Sequence, residues 1–532
     1  MRARRSVTAL AAALAAALAL AAPATVAAED PPRSAIPWLS EVLRTGAAPP
    51  DGTAPGGAAR PTVRPFDPGV IETRPLDLVA RNGVGILAPH AAGLPRDLWG
   101  GASAPRVRRL IAEHRAGGVP AARALFRTLL LTETVPPAGS GPENRVLLAR
   151  IDALMEAGML DAAEALVDAA GVTDPELFRR AFDIGLLTGR VDDECEQLRG
   201  SPALSPTLPA RVYCLARLGD WPAAALTLSL GREVGDIAPA QETALAWFLD
   251  PAAFEGLEPP PVPEPLTTLD YVVREAVALP RPARALPLAF LVPDAAGDSP
   301  LKTRITAREK LVRAGAMPPA LLFEAYRAGT PAASGGVWDR AAAVQALDRA
   351  LALADPQAIV PALRAADRMF SEVDLRPALA QVYLRQLKAL PPDAYPADLR
   401  QEVGALLLLA GAHAAAVPWF PDDNDVSSRY LAALAAGAPA LPDTAALAPL
   451  QVAAVAGLTT DAPPTEDALQ IGRLIARGFT GEALMRTLAL LEPGPEIDPG
   501  DLEAALYLLR AAGQDDVARQ VAIETLLLLP PA

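Results

Sequence analysis

The sequence predicts an all-α protein: a right-handed superhelix of antiparallel helix pairs, an α-solenoid, behind an irregular N-terminal region. Three observations carry the prediction. Six times a helix-breaking glycine is followed five residues later by an alanine of the next helix: Gly158/Ala163, Gly219/Ala224, Gly315/Ala320, Gly411/Ala416, Gly478/Ala483 and Gly513/Ala518. Successive glycines stand 61, 96, 96, 67 and 35 residues apart, close to multiples of about 30–35 residues, the period of helical-hairpin arrays. Apolar residues at helical spacing also fill the chain from Ala104 to about Leu529, with proline and glycine confined largely to the breaks between them.

Taken in order, residues 1–28 read as a secretory leader. Arg2, Arg4 and Arg5 form a positive start, Val7 to Ala22 an apolar stretch, and Val26-Ala27-Ala28 a small-residue cleavage site,. The alternative is a retained membrane anchor, against which the shortness and alanine content of the stretch argue. With cleavage, the protein is expected to be periplasmic or secreted, with no integral membrane association. Residues 29–65 hold a short apolar helix, in which Trp38, Leu39, Val42 and Leu43 fall at helical spacing after Pro37, and then a Gly/Pro/Ala tether without periodicity,. Such a tethered turn suits docking into a groove of a partner or of this chain, or packs as a detached first helix.

Residues 66–103 read as an irregular cap with brief extended pieces at 70–73 and 84–87, laid over the first helices, since an array must cover its terminal apolar face. The first solenoid part spans 104–257. It includes the pairs Arg145–Ala157 with Asp161–Ala169, Pro175–Leu187 with Val191–Leu198, and Pro209–Leu218 with Trp221–Leu230. A proline-rich break at 258–265 divides it from a second part at 266–532. Glycine at each turn supplies the left-handed residue that ends one helix. Acidic residues or proline then open the next, as in Gly219-Asp220-Trp221-Pro222,.

Charge and cysteine content narrow the function. The chain carries a formal charge of −14, and loss of the leader with its three arginines takes this to −17. A polyanion gains nothing from releasing phosphate counterions, so nucleic acid and anionic membranes are poor partners. Half the residues are hydrophobic (51%), ample for a core. Cys195 and Cys214 are the only cysteines, 19 residues apart on neighbouring predicted helices. In an exported protein they form a candidate disulfide, worth about 3 kcal/mol by loop entropy, with two buried thiols as the alternative. Zinc needs four ligands, and the three histidines are remote from both cysteines,.

Leu215-Ala216-Arg217-Leu218-Gly219-Asp220-Trp221-Pro222-Ala223-Ala224 resembles the helix-to-helix turn of a tetratricopeptide repeat. So do Glu156 to Ala163 and Ala512 to Ala518. In that family the glycine and alanine let paired helices approach closely, and its members bind peptides or proteins on a concave face. The early aromatic and closing proline of the repeat are mostly missing here. The alanine-rich helices are also similar to the superhelical part of soluble lytic transglycosylases, but no Glu-Ser pair followed by Gly-Leu-Met-Gln is present.

Sharper motifs fall away on inspection. Gly83-Val84-Gly85 lacks the third glycine of a dinucleotide loop. Counted from Asp423, the acidic run Asp422–Asp425 has Ser428 and Leu434 where a calcium loop needs Gly and Glu. Asp192-Asp193-Glu194 reads as first-turn acids, Ser140 as a loop residue and His413 as a packing or capping residue. No catalytic, cofactor or metal residues are assigned. Trp221, Trp247, Trp338 and Trp419 are the aromatic candidates for partner anchors. The expectation is an exported cell-envelope scaffold that binds peptide or protein partners. The alternative is a cell-wall-active enzyme or accessory.

Overall fold

The computed structural model describes residues 81–115, 117–172, 174–205, 207–282, 285–331, 335–420, 426–438 and 447–529, all within a compact unit spanning 74–532. The leader, the Trp38–Leu43 segment with its tether, residues 66–80 and the acidic run Asp422–Asp425 lie outside the described residues. Among those described, no β-strand forms, only two isolated bridges, Leu87 with Thr132 and Ser103 with Ala138.

The helices follow one another along the chain. The first are α1 (Ala104–Glu113), α2 (Pro120–Leu131), α3 (Arg145–Glu156), α4 (Leu160–Ala170), α5 (Pro175–Thr188), α6 (Asp192–Gly200), α7 (Leu208–Arg217), α8 (Trp221–Val234), α9 (Pro239–Leu249) and α10 (Thr268–Ala276). After short 3-10 turns come α11 (Leu301–Arg313), α12 (Pro319–Arg327), α13 (Val337–Leu353), α14 (Pro356–Ser371), α15 (Arg376–Ala389), α16 (Ala397–Leu409), the single turn α17 (His413–Ala416) and α18 (Val426–Ala436). The last are α19 (Pro449–Thr459), α20 (Glu466–Ala476), α21 (Thr480–Leu490), α22 (Pro499–Ala511) and α23 (Asp515–Leu527). Most pack against their neighbours in sequence.

The six glycine turns share one geometry. Gly158, Gly219, Gly315, Gly411, Gly478 and Gly513 all take positive φ, between 71° and 86°. The residue after each glycine donates its N–H to a carbonyl five residues back, and that carbonyl always belongs to leucine: Leu154, Leu215, Leu311, Leu407, Leu474 and Leu509. This is the Schellman closure, which satisfies a helix-end carbonyl and turns the chain back. Ala163, Ala224, Ala416, Ala483 and Ala518 are then fully buried where the two helices meet. Ala320 departs from the pattern and is exposed. Met317-Pro318-Pro319 delays the start of α12, so Leu322 and Phe323 fill the contact instead.

The Pro-rich 258–265 segment is strapped down rather than free. The buried Arg274 of α10 donates to the carbonyls of Pro260, Pro261 and Pro280. Residues 81–103 form an irregular strip that touches both the first and the last helices. Arg150 of α3 is buried and forms no ion pair among the described residues; its guanidinium donates to Val84 O (2.6 Å), Leu130 O (2.7 Å) and Thr132 O (3.0 Å). Burial pulls its pKa down to about 10. The charge gathers carbonyls from the end of α2 and from the strip, a favourable site for a cation. Further along, Leu98 O accepts from Gly481 N–H (2.6 Å), and a Cβ on Gly481 would collide with the Trp99 ring.

The last helices therefore lie on the first. Residues 94–187 and 453–522 contribute to one hydrophobic core. A second core is built from residues 305–435 with Ile523, and a third from residues 178–279. Helix α23 contacts α2, α16, α18, α19 and α22, and Ala518, Val521, Ala522 and Ile523 are completely buried. Polar contacts run along the same seam. Arg106 holds Glu482 (2.7 Å), Gly118 N–H donates to Glu492 O (3.1 Å), and Gln514 reaches Gly93 O (2.9 Å).

The turns make a graded stability prediction. A Cβ at Gly158 would stand 3.0 Å from Leu288 Cβ and 3.2 Å from Leu311 Cδ2, whereas one at Gly513 meets nothing within 4 Å. Gly513→Ala should cost only the left-handed penalty of about 1–2 kcal/mol, and Gly158→Ala distinctly more. Urea unfolding of both variants checks the order; equal losses would contradict it.

Candidate functional site

A groove runs along one stripe of α2. Pro120, Arg123, Ala124, Arg127, Thr128 and Leu131 recur at the three- and four-residue spacing of a single helix face and line a cavity of about 660 Å³,. Across from them stand the α11–α12 turn, residues 312–319, and the start of α15. A second cavity of about 830 Å³ continues toward the end of α23 and the α21–α22 loop. The two share Pro120, Arg123, Arg313, Asp374 and Pro377. Leu87, Met159, Val312 and Met317 give the first cavity an apolar wall.

Arginines enter this groove from separate elements, with different degrees of neutralisation. Arg376 is held side-on by Asp367 (2.7 and 3.0 Å) and donates to Leu527 O (3.1 Å). Arg313 donates to Val373 O (2.8 Å) and lies 4.0 Å from the exposed Asp374. Arg127 and Arg368 are exposed. Arg123 donates to Gly118 O, while its Nε is buried with no hydrogen-bond partner among the described residues. Burial lowers its pKa, and the nearby charges of Glu524 and Asp374 oppose that shift without cancelling it.

Glu524 of α23 sits behind the groove. Its Oε2 accepts from Ala121 N–H in the first turn of α2 (2.7 Å), and its Oε1 accepts from Gln520 Nε2 (3.0 Å). The last helix thus caps the second one, at the end of α2 that favours negative charge. Burial nevertheless pushes the carboxyl up to about 7, against the backbone bond from Ala121, Gln520 and the charge of Arg123.

A separate cavity of about 400 Å³ lies where α1 meets α21, lined by Arg106, Arg109, His114, Arg486 and Glu492 among others. His114 Nδ1 stands 3.0 Å from Glu492 Oε1, and its ring packs on Phe126 with centroids 4.2 Å apart. The side chain is only 3% exposed, and burial holds its pKa low in spite of Glu492. The imidazole is thus enclosed at the seam between the end of α1 and the residues after α21.

The residues singled out in the sequence do not converge. Cys195 of α6 and Cys214 of α7 are joined in a disulfide, Cα atoms 5.0 Å apart, in the third core. His413 Nε2 lies 2.8 Å from Gln520 Oε1, Ser140 donates to Pro137 O, and Asp192 pairs with Arg217. Trp419 is buried in the second core, and Trp247 and Trp338 are half-buried. Trp221 is 47% exposed at the start of α8 and lies beside Phe248, ring centroids 6.1 Å apart, while Leu226, Leu230 and Val234 are exposed together on another face of the same helix,. Of the turn residues, only Gly315 lines the groove. Among the described residues no three His, Cys, Asp or Glu side chains gather as a metal site, and no helix is long and apolar enough to cross a membrane.

The groove residues escaped the sequence reading because Arg123, Arg313 and Asp374 come from widely separated segments. The apolar turns flanking them resemble every other turn in the chain. Comparison adds no relative: no family model, curated protein or solved structure matches this chain.

Glu524 makes a pH prediction. A carboxyl raised in the folded state from 4.5 to about 7 holds its proton after the unfolded chain has lost it. Its contribution is therefore full below pH 4.5 and is lost as pH rises through about 7, by about 3 kcal/mol in all. Glu524→Gln keeps an acceptor for Ala121 but cannot ionise. Urea unfolding at about pH 5 and about pH 8 should show a smaller fall in stability for the variant than for the wild type. Identical slopes would contradict the buried-carboxyl account.

Proposed function

We propose that this protein is an exported, periplasmic scaffold that binds an extended peptide segment of a cell-envelope protein in the groove beside α2. The leader read at residues 1–28 supports the compartment. The paired helices with repeat-like Gly/Ala turns support a scaffold of the tetratricopeptide type. The observation that carries the binding site is the pair of joined cavities sharing Arg123, Arg313 and Asp374. Each is of the size of a small-ligand site, roughly 300–1,000 Å³. Joined end to end, they suit a chain of successive side chains better than a compact molecule. Their mixed lining, apolar from Leu87, Met159 and Met317 and cationic from the arginines, is the pattern by which peptide grooves combine burial with a few orienting polar groups.

The reading is tested by selecting binders from a displayed library of random peptides and measuring their affinity by fluorescence anisotropy. Gln381 is exposed at the wall of the first cavity, so Gln381→Trp fills the cavity without touching the core. The selected peptides should bind the variant at least about tenfold more weakly, since the lost contact is worth about 1.4 kcal/mol or more. Binding indifferent to the tryptophan would place the site elsewhere and sink the proposal.

A further inference from the structure

At the junction of the two cavities stands a charge, Arg123, that forms no ion pair among the described residues. Arg123 spends Nη1 on Gly118 O, while Nε is buried and unpartnered. Neither Nε nor Nη2 donates a hydrogen bond within the described residues. The Nε atom lies against the α11–α12 turn at Gly315, where an added Cβ would come to 4.0 Å. A guanidinium removed from water without an acceptor is costly, and pairing it with an anion recovers that cost.

The carboxylates facing it do not fill the role. Glu524 on α23 is committed to Ala121 and Gln520. Asp374, before α15, is 82% exposed and lies at the limit of pairing with Arg313. Neither comes within ion-pair distance of Arg123. One turn along α2 stands the exposed Arg127, and Arg313 faces Arg123 across the groove, so the cationic character extends around the junction. Nη2 is the guanidinium nitrogen that is neither spent on Gly118 O nor sealed from the groove, and a carboxylate there gains a charge-assisted hydrogen bond,.

We propose that Arg123 anchors an acidic side chain of the bound peptide, an internal aspartate or glutamate received on its Nη2. This rests on the groove being the binding site. The acid is internal rather than a chain terminus because Arg123 lines both cavities. A peptide seated there runs on in both directions, one arm along α2 toward Leu131 and the other toward Leu527 and Leu528. The flanking residues are then held by the apolar wall, and the acidic residue sets the register.

The test compares two pools of end-capped peptides that differ only in a fixed central residue, glutamate in one and glutamine in the other. End-capping removes the terminal carboxylate as a source of the anion. Wild-type protein should bind the glutamate pool about tenfold more tightly, the value of a charge-assisted pair at a partly buried site. Arg123→Met should erase that preference, and Arg123→Lys should restore part of it. Equal binding of both pools by the wild type, still blocked by Gln381→Trp, would overturn the anchor while leaving the groove standing. Failure of either pool to bind in the groove would overturn both. The wild-type comparison needs no variant, so it holds even if Arg123→Met fails to fold.

Discussion

The burial of α23 on nearly every side is the constraint on which the rest of the described structure depends. A helix at one end of a linear array needs only one apolar face, and its outer face is normally polar. Here Val521 and Ala522 belong to the core shared with α1–α5, while Ile523 belongs to the core of α11–α18. Even the polar positions Glu524 and Thr525 are buried. The helix therefore joins two cores that the chain builds some two hundred residues apart. Its one ionisable buried group is positioned where it caps α2.

Helix α2 is the counterpart of α23 and is fixed at both ends. At its start, Glu524 accepts from Ala121; at its end, Arg150 collects the carbonyls of Leu130 and Thr132 together with Val84 of the irregular strip. A helix held this way presents a rigid stripe, and the groove is the space between that stripe and the α11–α12 and α14–α15 turns. The site is thus a by-product of closure. Without the docking of α23, the second cavity would lose the wall supplied by Leu527 and Leu528. Groups on loops would not give the same fixed geometry.

The local structure was legible in the sequence, and the long-range packing was not. The Gly/Ala pairs located six helix turns because left-handed backbone demands glycine and close helix contact demands a small residue. Both are local requirements that leave a local trace. Ala320 shows the limit: Pro318-Pro319 shifted the helix start by two residues, and the alanine moved from contact to surface. The helix boundaries around residues 145–234 likewise agree with the periodic pattern to within a few residues. Closure left no such trace. Glu482, Glu492 and Glu524 look like ordinary surface acids on amphipathic helices, yet each contacts the first two helices or the segment joining them. Arg123 looks like a solvated residue of an apolar helix, and only the meeting of three distant segments buries it.

The most direct measurement of closure is the distance between α1 and α21 in solution. Arg109 and Ala489 are exposed and line the same small cavity. The native cysteines are joined to each other, so cysteines introduced at these two positions take spin labels selectively. Pulsed electron–electron resonance should then give a narrow distribution below about 30 Å, as for labels on adjacent helices whose axes lie roughly 10 Å apart. A broad distribution centred beyond about 50 Å, the spacing expected of ends separated by many stacked helices, would contradict the account.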